Sequence, residues 1–350
     1  MKDKAKAIWR RNVKRWLIGA GLEGSALAAG AGLMKAARGY GVIFTLHHVR
    51  PETSPVIGPN RHLEITPDFL DLAITQLKAL GYDCIALSDV PARLASPSAT
   101  PFAAFTLDDG YRNNAEHALP VFARHDVPFT VFIAQGLAEH KQPLWWEIMG
   151  RLLRDQERVS FDFGQGPETL DIRTPVEQLD TFFRFASYVW AHKEAETVAK
   201  LCDLAGRYGI DPLAITRDLV MGPAELKAFA AHPLVSLGAH TVTHRKLARL
   251  AAEEAEDEMR RSADWLTDLT GTRPTAIAYP YGSRDAVGQR EFQIARDLGF
   301  VIGLTTQPGM LTGADLTRPT ALPRVSLNGY YQKARYVTAL ASGIPFALKR

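Results

Sequence analysis

Residues 102–134 read "FAAFTLDDGYRNNAEHALPVFARHDVPFTVFIA". "FAAFTL" and "VPFTVFIA" are short β-prone apolar runs. The stretch between them, "NNAEHALPVFARHD", has helical spacing that Pro120 bends or divides. Two buried strands joined by a helix of this length pair in parallel, through a right-handed crossover. The same unit recurs outward in both directions. Upstream lie the strand "GVIFTLHHV" (41–49) and the helix "TPDFLDLAITQLKALG", with Thr66 as N-cap, Pro67 in the first turn and Gly81 as the stop, and then the strand "YDCIAL". Downstream, "GPAELKAFAAH", "LVSLGA", "AAEEAEDEMRRSADWLTDLTG", "PTAIAYP", "QREFQIARDLG", "FVIGLTT" and "LPRVSL" continue the alternation. The fold class is α/β. Seven or eight parallel strands favour a distorted (β/α) barrel over an open sheet.

Residues 140–222 break the rhythm. They are aromatic and mostly helical ("PLWWEIMGRLL", "TFFRFASYVWAHKEAETVAKLCDLAG"), with a short β-hairpin in "RVSFDFGQGPETLDIR". This stretch reads as an insertion capping one face of the barrel. The predicted organisation is a basic helical segment over 1–40 and a barrel over 41–345 that carries this insertion.

Of the 350 residues, 46% are hydrophobic and 23% charged, and the net charge is +3. Residues 1–15 hold seven Lys/Arg against one acid, Asp3, so the body is slightly acidic. That balance argues against nucleic-acid binding by the body and assigns any membrane-surface contact to the tail. Glu23 splits the tail's apolar part into uncharged runs of 7 and 11 residues, too short to span a bilayer. A plain or membrane-surface helix is favoured over a cleaved signal peptide, which places the chain in the cytoplasm, at the inner face of the membrane where the tail is engaged. Cys84 and Cys202, the two cysteines, cannot form a disulfide framework.

Asp108 and Asp109 end the strand "FAAFTL" side by side. Like charges so placed call either for full solvation or for a cation that neutralises one and leaves the other free for proton transfer. "LGAHTVTHRKL" (237–247) presents His240 and His244 directly after another strand, able to meet one ion if the segment between them curls like a helical turn. An H-x-x-x-H alone is weak. In a barrel, however, groups at the carboxyl ends of different strands meet on one face. Two histidines and one carboxylate then form a three-ligand hydrolytic metal centre.

"FTLDDGYRNN", "LGAHTVTH" and "IAYPYGSRD" occur in the order seen in NodB-homology polysaccharide deacetylases (carbohydrate esterase family 4), which the chain resembles over about 40–140 and 220–330. The resemblance implies that Asp108 is the general base, that Asp109, His240 and His244 are metal ligands, and that the Tyr281 backbone N–H helps to bind the oxyanion. It also implies an N-acetylated carbohydrate substrate. Zinc is favoured for such a ligand set, with cobalt, nickel or manganese as alternatives; no other cofactor is expected. In "YPYG", Tyr279 and Pro280 are candidates for substrate contact, as are Tyr111 beside the carboxylates and Trp145 in the insertion.

The sequence departs from the family pattern twice. The third motif commonly begins with Arg, and here Ala278 stands in that place; Arg324 in "LPRVSL", taken as lying at the end of the last strand, is the candidate to support Asp108. The late L-x-H motif is missing, and "TLHHV" at the first strand resembles a branch in which it has moved to the N-terminal end. By that resemblance His47 is the acid and His48 the reserve, and adjacent strand residues face opposite ways, so only one can reach the site. His117 and His125 read as surface groups, and "EEAEDE" (253–258) as a solvated face. Two alternatives to an N-deacetylase stay open: a deformylase or imide hydrolase with the same centre, and a catalytically silent carbohydrate-binding protein.

Overall fold

The computed structural model describes residues 2–52 and 58–347, with the side chains of 2–12 and 14 undescribed. Seven strands form the barrel: β1 (Gly41–Leu46), β2 (Phe102–Leu107), β3 (Phe129–Ile133), β4 (Val235–Ala239), β5 (Ala276–Ala278), β6 (Ile302–Leu304) and β7 (Val325–Ser326). All pairings are parallel, in the order β6-β5-β4-β3-β2-β1-β7. A bridge from Leu304 to Leu322, just before β7, spans the seam. "YDCIAL" contributes only Asp83–Cys84, paired with Phe102 and Ala103. Its reach is limited because β3 takes the same edge of β2 from Phe105 onward.

Strand parity places the site. Val42, Phe44, Leu46, Ala103, Phe105 and Leu107 pack outward against helix residues such as Phe69 and Leu70, while Ile43, Ala104 and Phe132 fill the interior. A Cβ on Gly238 would lie 2.3 Å from the Phe132 ring, so the missing side chain there makes room for the aromatic plug. Continuing the alternation past Leu46 and Leu107 turns His47 and Asp108 inward at the mouth of the barrel. His48 turns outward.

The stretch read as a helix that Pro120 bends or divides is a π-helical turn (Asn114–Ala118) followed by an α-helix (Leu119–His125). Proline supplies no N–H for a regular helical bond at that junction. Residues 140–222 hold helices Trp145–Asp155, Pro175–Ala191, Glu194–Arg207 and Pro212–Leu219, and the antiparallel hairpin Arg158–Asp162/Pro167–Asp171. Their core of Trp145, Ile148, Leu152, Phe161, Phe185 and Leu201 also includes Tyr111 and Leu137 from barrel loops. The insertion is therefore continuous with the mouth of the barrel.

The N-terminal helix runs Lys2–Gly30 and docks by Leu22 and Ser25 near helix Ala334–Ala341. Glu23, the residue that interrupts the apolar tail, binds Arg335 through both oxygens (2.7 and 2.8 Å) and accepts from the Tyr336 hydroxyl (2.6 Å). Hydrogen bonds from Arg335 and Tyr336 hold its carboxyl down to about 2. Of the seven basic residues in 1–15, only Arg15 has a described side chain; the other six lie outside the described set. No described helix is long and apolar enough to cross a membrane.

Candidate metal centre and active site

Where β2 ends, the chain turns through two successive left-handed residues, Asp109 (φ 72°) and Gly110 (φ 69°). Aspartate tolerates this conformation better than most residues, and a Cβ at Gly110 would meet the Ile133 Cδ1 at 2.8 Å. The turn sends the two carboxylates to different partners. Asp108 points to Arg324, whose Nη1 and Nη2 donate to its two oxygens at 2.7 and 2.8 Å. Arg324 is 1% exposed and also donates to the Thr305 carbonyl (3.0 Å) and the Thr106 hydroxyl (3.2 Å). It lies at the start of the last strand, not at its end, and reaches up through the barrel beside the Phe132 ring. Burial alone would raise the Asp108 carboxyl; the guanidinium outweighs it and holds the acid below the usual carboxylate range.

Asp109 faces the histidines. Its Oδ1 lies 3.6 Å from His240 Nε2 and 3.3 Å from His244 Nε2. The ligating atoms of the three residues all fall within 4.8 Å of one another. His240 Nδ1 donates to the Ala278 carbonyl (2.6 Å), which fixes its proton there and leaves the Nε2 lone pair facing the carboxylate. Asp109 Oδ1 is buried without a hydrogen-bond partner. A lone pair aimed at an orphaned anionic oxygen calls for a cation between them, so these residues fit a divalent ion. Ala278, where the family pattern has Arg, thus serves through its carbonyl.

The two histidines do not converge through a helical turn. The segment between them is irregular, with Thr241 at φ 67° and His244 at φ 57°. A buried carboxylate pins it: Glu258 accepts from the backbone N–H of Val242 and Thr243 (both 2.8 Å), from the Thr243 hydroxyl (2.5 Å) and from Arg245 (3.0 Å). This corrects the reading of 253–258 as a wholly solvated face. Glu253, Glu254 and Glu256 are exposed, but Glu258 is 5% exposed because helix Ala252–Thr270 turns that position toward the loop. If the site takes a divalent ion, Glu258→Ala is expected to weaken its binding about 10- to 100-fold, measured with zinc by competition with a chelator. Unchanged affinity would show that the loop holds its shape without the carboxylate.

At the end of β5, Gly282 N donates to the Pro280 carbonyl (2.7 Å) across Tyr281, which sits at φ 60°. The Thr306 hydroxyl donates to the Tyr281 carbonyl (2.6 Å), and the Tyr281 hydroxyl donates to Glu194 (2.5 Å) while accepting from the Trp145 indole (3.0 Å). Four of the seven described non-glycine residues with positive φ are Asp109, Thr241, His244 and Tyr281. Strain concentrated at one mouth of a barrel marks a functional surface.

His47 lies beside Asp108, Nε2 to Oδ2 at 4.0 Å, with 22% of its side chain exposed. Burial pushes its imidazole down to about 4, against the pull of Asp108. His48 points away, stacked on Tyr111 (3.6 Å between centroids), contacting Asn113 at 2.8 Å and facing Glu147 at 3.6 Å. The two asparagines of "GYRNN" hold this segment. Asn114 donates to the His47 carbonyl (2.8 Å) and Asn113 accepts from Val49 N (3.0 Å).

The structure does not bring every candidate to the site. Tyr279 packs outside the barrel against Phe292, its hydroxyl on the Thr320 carbonyl (2.8 Å), because it sits one residue from inward-facing Ala278. Pro280 is buried and shapes the turn. Tyr111 is fully buried, its hydroxyl accepting from the Trp146 indole (3.0 Å), so it backs the centre instead of lining a cleft. Trp145 is 4% exposed and bound to Tyr281; it borders a cavity of about 300 Å³ together with Trp146, Glu194, Val198, Cys202 and His244. His125 pairs with Asp71 (3.1 Å), so it is not a free surface group; His117 is partly buried. Sequence reading missed Glu258, Glu194, Asn113 and Asn114. A short-range signal existed only for the asparagines, adjacent to the Asp pair.

The family model for polysaccharide deacetylase matches residues 96–161 and 177–303, more than half of the chain. The chain belongs to the polysaccharide deacetylase family. The match extends through most of the insertion but omits residues 162–176, which hold the hairpin tip and its second strand, and residues 1–95 and 304–350, so His47 and Arg324 lie outside it. YxkH of Bacillus subtilis (strain 168), a provisionally assigned polysaccharide deacetylase, is 28% identical over 85 residues, which span 24% of this chain and 29% of that relative. Among solved structures, the Streptococcus pyogenes deacetylase PplD in complex with acetate superposes with TM-score 0.54 at 19% identity, covering 82% of this chain and 92% of that one. IcaB from Ammonifex degensii gives 0.52 at 16% identity, over 86% and 97%. These likenesses establish the polysaccharide deacetylase barrel.

Proposed function

We propose that this polysaccharide deacetylase hydrolyses the N-acetyl group of an amino sugar within an oligosaccharide, polysaccharide or glycolipid, giving acetate and a free amine. The observation that carries the reading is the separation of duties in the Asp pair. Asp109 faces two histidines, while Asp108, 2% exposed, is held ionised by Arg324 beside them. A pure binding protein has no use for that second carboxylate.

Asp109, His240 and His244 would hold the ion. When bound, a divalent ion supplies Lewis acidity toward the acyl oxygen and makes water a better nucleophile. Asp108 takes the proton of the attacking water at a carboxylate oxygen. The backbone N–H of Tyr281, which has no acceptor among the described residues, donates to the developing oxyanion. The leaving amine needs a proton, and His47 supplies it. Because burial keeps His47 neutral in the resting protein, it must first receive that proton, and Asp108 is its neighbour.

The test is acetate release from chito-oligosaccharides by metal-stripped and zinc-reloaded protein. Activity is expected only after reloading. Release of formate from N-formyl analogues with none of acetate would replace the reading by a deformylase; tight sugar binding with neither product would leave a binding protein.

The N-terminal helix supports a proposed contact with a membrane surface. Trp16 (70% exposed), Leu17 and Leu27 face solvent on a helix whose first half is basic, a pattern suited to an anionic lipid surface. The full chain is expected to co-sediment with anionic vesicles at low salt and to be released by high salt, with Trp16→Glu reducing the bound fraction. Equal recovery with uncharged vesicles would remove the electrostatic part of this proposal.

A further inference from the structure

We propose that Glu194, the first residue of inserted helix Glu194–Arg207, is a positioning residue that fastens together the two loops carrying His244 and Tyr281. This rests on the deacetylase reading for its kinetic consequence, but the geometry stands by itself. One oxygen of Glu194 accepts from the Tyr281 hydroxyl (2.5 Å), and the other accepts from Lys246 N (3.3 Å), two residues beyond His244. Trp145, from the other end of the insertion's core, donates to the same hydroxyl (3.0 Å). The Tyr281 ring lies 5.3 Å from the His244 ring, and the Lys246 ammonium, paired with Asp285 (2.5 Å), stands 5.5 Å from its centroid.

The physical need is at Tyr281. A bulky residue at φ 60° is unfavourable and persists only where its surroundings over-determine it. The turn's own bond, Gly282 N to Pro280 O, closes it, and Thr306 holds its carbonyl side, through its hydroxyl to Tyr281 O (2.6 Å) and its N–H to Gly282 O (3.0 Å). A phenol held at its far end by a charged acceptor and an indole donor adds an anchor on the side chain, and bonds to ionised groups are stronger than neutral ones. The inserted helices thereby act on the centre from outside it: they aim a backbone donor and the loop that carries His244. Nothing local in "AHKEAETVAK" announces this, because the partners are 52 and 87 residues away.

The experiment uses zinc-loaded full-length Glu194→Ala, Glu194→Gln, Tyr281→Phe and the Glu194→Ala/Tyr281→Phe double variant. Two readouts are taken: kcat and KM on chito-oligosaccharide, and hydrogen exchange of the amides of residues 281–284. Glu194→Ala is expected to lower kcat roughly tenfold with KM changed less than about twofold, and to speed exchange by a similar factor, the scale of one bond to a charged group. Glu194→Gln keeps an acceptor for the phenol and is expected within about threefold of wild type. In the Tyr281→Phe background, Glu194→Ala should add less than about twofold to exchange at 281–284, because the path to that turn is already cut while the bond to Lys246 N is not. Wild-type kcat and exchange in Glu194→Ala, or its full effect on exchange at 281–284 persisting in the double variant, would overturn the proposal. If wild-type protein shows no deacetylation at all, the substrate reading fails, while hydrogen exchange still decides the clamp.

Discussion

Asp108→Asn protein reloaded with zinc is expected to lose acetate release by about 100- to 10,000-fold while still binding the ion, the range for removing a positioned general base. Asparagine matches the shape of the carboxylate but cannot take a proton from water. On the proposed assignment the ion contacts belong to Asp109, so chelator competition should give the wild-type zinc affinity within a few-fold. The variant will also be less stable, because Arg324 is left as a buried cation facing an amide. Assays therefore belong well below its melting temperature. A variant that retains activity within about tenfold of wild type would reassign the base, since no general-base role is compatible with so small a loss.

Arg324 carries the second large effect, on stability and on pH dependence together. Removing one partner of a buried, bidentate ion pair leaves an uncompensated charge, so Arg324→Ala is expected to cost about 3–5 kcal/mol of unfolding free energy. Arg324→Lys should recover part of this, because an ammonium can neutralise Asp108 but cannot reach both oxygens in one plane. The sign of the pH effect follows from the direction of the shift. With Arg324 present, the Asp108 carboxyl is held below its usual range, so the base stays ionised down to acidic pH and the acid limb of kcat/KM lies low. Without the guanidinium, burial dominates and raises that carboxyl. The acid limb should then move to higher pH in Arg324→Ala, and less so in Arg324→Lys. The same pair stabilises folding above the carboxyl's ordinary value and loses that contribution as pH falls through the depressed one. Thermal unfolding from pH 7 downward, compared between wild type and Arg324→Ala, should show the difference narrowing toward the acid end. An unshifted acid limb would mean that Asp108 draws its support elsewhere.

The strands were legible because their signals are local. Apolar runs such as "FAAFTL" and "VPFTVFIA" need only their neighbours to declare themselves, and Thr66 with Pro67 marks a helix start in two residues. Register fared differently. Asp83–Cys84 is short because β3 occupies the adjoining edge, a competition between segments some forty residues apart that no window displays. Glu258 and Glu194 were illegible for a related reason. A glutamate on a charged helix looks the same in sequence whether it meets water or a loop, and only packing decides which. Tyr279 erred the opposite way: a one-residue change of parity in "AYPY" turned a candidate contact into outer packing.

By itself, then, the sequence determined which segments are strands, that they run parallel, and which four side chains stand at their carboxyl ends to meet on one face. Those properties follow from hydrophobic periodicity and from the geometry of strand–helix–strand crossovers, both short in range. Tertiary structure alone decided that Arg324 reaches up through the barrel to Asp108, that His47 turns in and His48 out, and that carboxylates from two distant helices brace the strained loops. Such contacts depend on where separate chain segments come to rest, and burial then sets the charge state of every group they enclose.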